Sequence, residues 1–250
     1  DGILYNKDQT ILYLCPIANP GDENGSVTIP NTVATVTNRA FMQNAGLEEI
    51  VFAEGNTETE LLIGTSAGTT SSQVFGQMTG VKRIVFPERL TELRNYTFYN
   101  STGLEEVVLP TTLDTLGTNV FRGCTSLTTV DWDGCQITKT NTGLFQGATS
   151  LVNIVIPEGV TTIAGNAFNG CTALETVSIP ASLTTITNTA FHDCTSLTEF
   201  IVAEGSLTYQ AIDGSLYDAA GTSLVIGAKG TGESSTYRIP DGTTTLGQYT

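Results

Sequence analysis

One sentence recurs along this chain. Ile156-Pro157-x2-Val160-x2-Ile163-x3-Ala167-Phe168-x2-Cys171-x2-Leu174-x2-Val177 is followed by Ile179-Pro180-x2-Leu183-x2-Ile186-x3-Ala190-Phe191-x2-Cys194-x2-Leu197-x2-Phe200, each residue 23 positions after its counterpart. Fainter versions bring the near-copies to six. A unit this short cannot bury its apolar side alone, so neighbours must stack and share one core, which is the condition for a solenoid. Such a molecule offers long walls to its surroundings and has no pocket at its centre. At 250 residues the chain fits one elongated domain.

Two periodicities divide each repeat. The residues before the proline alternate apolar and variable, the period of a half-buried strand, and the proline ends the ladder because it has no N–H to donate. The inward pairs are Ile50/Phe52, Ile84/Phe86, Val107/Leu109, Val130/Trp132, Ile154/Ile156, Val177/Ile179 and Phe200/Val202. These predict seven parallel strands spanning about 30 Å at ~4.8 Å per neighbour. Beyond the proline, Val160, Ile163, Ala167 and Phe168 recur at three to five residues, which predicts a short helical or 3-10 turn on the opposite wall. Phe41, Phe75, Phe98, Phe121, Phe145, Phe168 and Phe191 then form a second internal column, read as core.

The period slips in one place. Asp131-Trp132-Asp133-Gly134 stands where Ile-Pro is expected, and Pro110 to Pro157 is 47 residues, one more than two repeats of 23. Larger insertions begin at Ala53-Glu54-Gly55-Asn56 and Ala203-Glu204-Gly205-Ser206. A second unit, Asp1-Gly2-x-Leu4-Tyr5-x4-Thr10-x-Leu12, returns as Asp213-Gly214-x-Leu216-Tyr217-x4-Thr222-x-Leu224 and reads as a β-hairpin. Thr59-Glu60-Leu61-Leu62-Ile63-Gly64 resembles its second strand alone, and fresh coils open at Val27-Thr28-Ile29-Pro30 and Tyr237-Arg238-Ile239-Pro240. The expected organisation is an N-terminal hairpin cap over 1–26 and a solenoid over 27–250, with hairpin insertions near 53–73 and 203–236, all in one structural domain. The last coil stops at Thr250 before its Ala-Phe, so the array is expected to continue in a longer protein.

Charge narrows the partners. With 25 acidic against 10 basic residues the chain carries a formal charge of −15, which repels phosphate backbones and anionic lipid, so nucleic acid is excluded as a partner. No run of 18 apolar residues is present, so no direct membrane insertion is expected, and the sequence shows no export signal. Cys15, Cys124, Cys135, Cys171 and Cys194 lack the spacing of a metal site. Three of them share one repeat slot with Asn44, Ser101 and Ala148, which points to a small residue in a tight turn. Stacked in one direction, they are expected to remain reduced thiols.

Strand, proline, Ala-Phe and Cys-Thr-x-Leu all occur in register within residues 154–200, with Asp-Gly-x-Leu-Tyr hairpins interspersed. In this the chain resembles the BspA-like, or Treponema pallidum type, leucine-rich-repeat family over essentially its whole length. The resemblance implies an α/β leucine-rich-repeat solenoid, mainly parallel β, with short helical or 3-10 turns opposite the sheet and inserted hairpins. It also implies a bacterial protein, secreted or at the cell surface, in adhesion to a host or bacterial surface protein or glycan. The family has no shared catalytic motif or cofactor to carry over.

The strand alternation names the outward face. One column holds Glu49, Arg83, Glu106, Thr129, Asn153, Thr176 and Glu199, and its neighbour holds Val51, Val85, Val108, Asp131, Val155, Ser178 and Ile201. These are the candidate partner-binding residues. Five aliphatics in the second column form an interaction stripe or merely follow β-propensity. Glu49, Arg83 and Glu106 alternate in sign, which relieves repulsion along a ladder. As a hydrolytic pair, Glu49 and Glu106 would stand roughly 10 Å apart with an arginine between them. The sole histidine, His192, occupies a slot shared with Met42, Tyr99, Arg122, Gln146 and Asn169, so it is expected to face solvent. No phosphate-binding loop, dinucleotide fingerprint, zinc helix or EF-hand is present, and nothing specifies calcium at Asp131 and Asp133. The expectation is a non-enzymatic binding module without cofactor or metal. The alternative is a structural spacer in a larger surface protein.

Overall fold

A computed structural model describes residues 2–55, 59–65, 72–228 and 239–247. The repeats wind into a parallel β-solenoid. Its front wall carries Ser26–Ile29, Glu49–Phe52, Arg83–Val85, Glu106–Val108 and Thr129–Asp131 as one five-stranded sheet, then Asn153–Val155, Thr176–Ile179 and Glu199–Val202 as a separate three-stranded one. Registers are fixed by the repeat: Glu106 faces Thr129, and Asn153 faces Thr176, each 23 residues on. The seven predicted strands are all present. An eighth, Ser26–Ile29, joins them ahead of Glu49–Phe52. The expected continuous ladder is corrected to two sheets, parted between Thr129–Asp131 and Asn153–Val155.

The core lies between the walls. Phe41, Phe75, Phe98, Phe121, Phe145 and Phe168 are fully buried and Phe191 nearly so. Successive rings stack at 5.0 to 5.4 Å between centroids. One ring per coil is what a 23-residue repeat delivers when each coil advances by one strand spacing. Of the fourteen inward strand residues named above, Val130 and Val202 are only half-buried and the other twelve are buried.

The opposite wall departs from expectation, because the described residues contain no helix. Instead it carries two-residue parallel strands, Thr35–Val36, Leu62–Ile63, Glu92–Leu93 and Thr115–Leu116 in one sheet and Thr162–Ile163 with Thr185–Ile186 in another, followed by consecutive turns. The reason is conformational. Left-handed residues stand two before and two after the phenylalanine in coil after coil, as in Asn119 (φ +56°) and Gly123 (φ +76°) around Phe121, or Tyr96 (φ +61°) and Asn100 (φ +56°) around Phe98. A left-handed residue every fourth position is incompatible with a right-handed helix. The hydrogen bonds follow: Phe121 N–H donates to the Leu144 carbonyl and Phe145 N–H to that of Ala167, on the next coil. The spacing that suggested a helical turn comes from a chain that alternates between bonding itself and bonding its neighbour.

Leu4–Tyr5 and Ile11–Leu14 pair antiparallel, and Ile11–Leu14 continues in parallel onto Thr35–Val36 at the start of the back sheet. Near the other end, Tyr209–Ile212, Ser215–Asp218 and Ser223–Ile226 form an antiparallel meander, which pairs in parallel with Thr245–Leu246. Leu62–Ile63 lies in parallel between Thr35–Val36 and Glu92–Leu93. Parts of the 53–73 and 203–236 insertions, and Tyr237-Arg238 of the last coil, fall outside the described residues.

Candidate functional site

The fourteen outward residues lie on the front wall in two rows set by strand register, divided by the parting of the sheet. In the first row Arg83 bridges two carboxylates, with Nη1 2.7 Å from Glu49 Oε1 and Nε 3.2 Å from Glu106 Oε2, while Ser26 Oγ donates to Glu49 at 3.2 Å. Hydrogen bonding to Glu49 raises the Arg83 pKa. Both carboxylates are thereby tied to one guanidinium, and neither is placed as the acid or base of a hydrolytic pair. In the second row Val51, Val85 and Val108 are half-buried in register, and the row ends on exposed Asp131. Across the parting it resumes with Val155, 65% exposed, then half-buried Ser178 and Ile201, 48% exposed.

The parting has a local cause. Trp132 follows Leu109 by 23 residues but Ile137 follows Leu113 by 24, so the additional residue sits within 133–136. Gly134, at φ +76°, turns the chain there. Side chains take over where the ladder fails. On the front, Trp132 Nε1 donates to the Val155 carbonyl at 2.8 Å. On the back, the Asn141 amide donates to the Leu116 carbonyl. Trp132 is buried, edge-on to Phe145 at 5.4 Å and 85°. The parted strands leave a cleft of about 540 Å³ lined by Thr128 to Asp133, Asn153 to Val155, and Pro157. Replacing Ile-Pro by Asp-Trp-Asp was the sequence signal for this feature, though the residues alone did not say that the sheet would open.

The small-residue slot is more specific than size. Cys124, Cys171 and Cys194 donate Sγ–H to the carbonyls of Phe98, Phe145 and Phe168 at 3.2, 3.2 and 3.1 Å, and Ser101 does the same to Phe75. In these four coils the slot holds a short donor that ties one coil to the coil before it. All five cysteines are free thiols. Burial pushes Cys124 up to about 12 and Cys135 to about 11, which disfavours the nucleophilic thiolate. His192 is exposed, with Nδ1 3.0 Å from Asp193 Oδ2. No group of three or more His, Cys, Asp or Glu positioned to hold a metal occurs among the described residues. No helix in them is long and apolar enough to cross a membrane.

Comparison with known proteins agrees with this geometry. A leucine-rich-repeat protein of Eubacterium ventriosum of known structure is 24% identical, with a TM-score of 0.54, over 81% of this chain and 45% of that protein. The chain thus spans less than half the length of that relative. The T. pallidum leucine-rich-repeat protein is 22% identical, with a TM-score of 0.60, over 78% of this chain and 86% of the other. At these identities the likeness concerns the fold. No curated protein matches the chain. The family model described as "BspA type Leucine rich repeat region (6 copies)" matches residues 23–62 and 68–198. With well over half of its length matched in this way, the chain belongs to the BspA-type leucine-rich-repeat family.

Proposed function

We propose that this chain is a non-enzymatic binding module, secreted or displayed at a cell surface, that presents its front sheet to a protein or glycan partner. The observation that carries the reading is the front wall itself. Two registered rows of side chains project from a preordered backbone, so binding freezes few degrees of freedom. Family membership supports it, since leucine-rich-repeat solenoids are generally protein-binding. The family resemblance supports a surface location and a role in adhesion. The nearest approach to catalytic machinery, the Glu49–Arg83–Glu106 row, has its carboxylates held by the arginine.

The test is to probe arrays of glycans and of extracellular-matrix proteins with the labelled chain, and with a variant carrying Val85→Asp, Val108→Asp and Val155→Asp. Saturable binding that the variant loses, with its circular dichroism unchanged, supports the reading. Binding that the variant retains rules out the sheet face. Absence of binding on every array favours the alternative of a spacer that holds other domains away from the envelope.

A further inference from the structure

Between Thr129–Asp131 and Asn153–Val155 the main-chain groups that would have closed the sheet can be named. Thr129 N–H donates to the Glu105 carbonyl at 3.1 Å and Leu109 N–H to that of Asp131 at 2.8 Å, so residues 129 and 131 turn toward Glu106–Val108. Strand alternation turns Val130 the other way. On the far bank, Thr176 N–H donates to the Val152 carbonyl at 3.3 Å and Ile156 N–H to that of Ser178 at 3.0 Å. Asn153 and Val155 therefore turn toward the opening. The Val155 carbonyl is taken by the Trp132 indole. The N–H and carbonyl of Asn153 and the N–H of Val155 form a strand edge in the interior of a solenoid wall, to which no strand is hydrogen-bonded among the described residues.

We propose that this edge accepts an extended basic polypeptide segment as an added strand. The proposal rests on the reading of the front wall as a binding surface and assigns it a partner class. Three observations select this occupant. An unpaired parallel edge offers donors and acceptors at strand spacing, which is what an incoming main chain satisfies. The cleft's 540 Å³ lies within the ~300–1,000 Å³ typical of built binding sites. Its rim carries exposed Asp131 and Asp133, and no lysine or arginine lines it, in a chain of formal charge −15, so cationic side chains are favoured. A sugar ring is disfavoured: Trp132 is only 3% exposed, and its indole N–H is already committed to Val155.

Trp132 is the only tryptophan, so its emission reports on the cleft directly. The probe is an acetylated, amidated heptapeptide of alternating lysine and valine, titrated into the intact chain. Two controls accompany it, one with glutamate for lysine and one N-methylated at its valines. The lysine peptide is expected to shift the emission saturably and to bind at least tenfold more tightly than either control. Asp131→Lys with Asp133→Lys is expected to weaken it at least tenfold. Val155→Pro removes an edge donor and leaves the bonds to Thr176–Ile179, with the same expected loss. Should that variant misfold, the N-methylated peptide interrogates the same hydrogen bonds on the unaltered chain. Equal affinity for the N-methylated peptide, or no response to the lysine peptide, overturns the proposal. If array binding sensitive to Val85→Asp with Val108→Asp persists after such a result, only the added strand is rejected and the sheet-face reading stands.

Discussion

The Sγ of Cys171 donates to the main-chain carbonyl of Phe145 across 3.2 Å, joining one coil to the coil before it. Cys124 and Cys194 make the equivalent bond to Phe98 and Phe168, but Ala148 occupies the same slot and has no donor to offer Phe121. The Phe145 carbonyl keeps the Ala148 N–H at 3.0 Å, so Cys171→Ala is expected to lower stability by about 0.5–1.5 kcal/mol, the net worth of the one bond lost. Ala148→Ser should raise it by about 0.5–1.5 kcal/mol, the net worth of one new hydrogen bond. Urea denaturation of both variants checks the pair. A slot that responds to volume alone would give Cys171→Ser the same loss as Cys171→Ala.

Alkaline pH should unfold the molecule through its thiols. Burial raises Cys124 from 9.0 to about 12 and Cys135 to about 11, and it raises Cys171 too. Above about pH 9 the unfolded chain ionises these groups while the folded chain keeps them protonated, so the unfolded state binds fewer protons and stability falls as pH rises. The loss is expected between pH 9 and about 12, with none from these groups below pH 9. Denaturation midpoints measured across pH 8–11 check this, and Cys124→Ala should flatten the slope.

Phe121 is sandwiched between Phe98 at 5.1 Å and Phe145 at 5.3 Å, whereas Phe191 stacks on Phe168 and meets Phe200 edge-on. Truncating Phe121 to alanine should cost about 3–5 kcal/mol, as expected for an aromatic removed from a rigid core. Phe191→Ala should cost less, because Phe191 keeps 7% of its surface exposed and its site is freer to collapse. Calorimetric melting of the two variants supplies the comparison.

Arg89 is 5% exposed, and its guanidinium nitrogens have no hydrogen-bond partner among the described residues. Burial lowers its pKa, and the nearby Glu54 charge opposes that effect. An isolated buried charge is unfavourable, so Arg89→Met is expected to stabilise the chain by about 1–4 kcal/mol, the range seen when buried ions yield to apolar residues of similar volume. Glu54→Gln should shift stability the other way. A lower urea midpoint for Arg89→Met would contradict the expectation.

The front wall was legible because its information is chemical and periodic. Alternation at Ile154, Ile156, Val177 and Ile179, closed by Pro157 and Pro180, can only be a short half-buried strand. The back wall was not, because its controlling variable is the sign of φ. Left-handed residues there are glycine in some coils but Arg39, Gln43, Gln77 and Tyr96 in others, and nothing in those side chains announces the conformation. The outward columns followed from the strand alternation, and the Glu49–Arg83–Glu106 ion pairs from their alternating signs. The cleft lay only half within reach. Counting placed one additional residue near Trp132, but whether a ladder absorbs such a residue or parts around it depends on hydrogen bonds that the Trp132 and Asn141 side chains complete in three dimensions.

The aromatic column crosses the parting unbroken, Phe121 and Phe145 stacking at 5.3 Å and 4°. Inner and outer fabrics of the rod therefore behave differently at one level. A bending load would spread the coils at the Trp132 seam, where no β-ladder binds them, while the stacked rings hold their spacing and act as the fulcrum. Flexure of the rod would concentrate at this level, held by the rings and by the Phe121 N–H bond to Leu144, and since it coincides with the cleft a captured strand would also stiffen the rod.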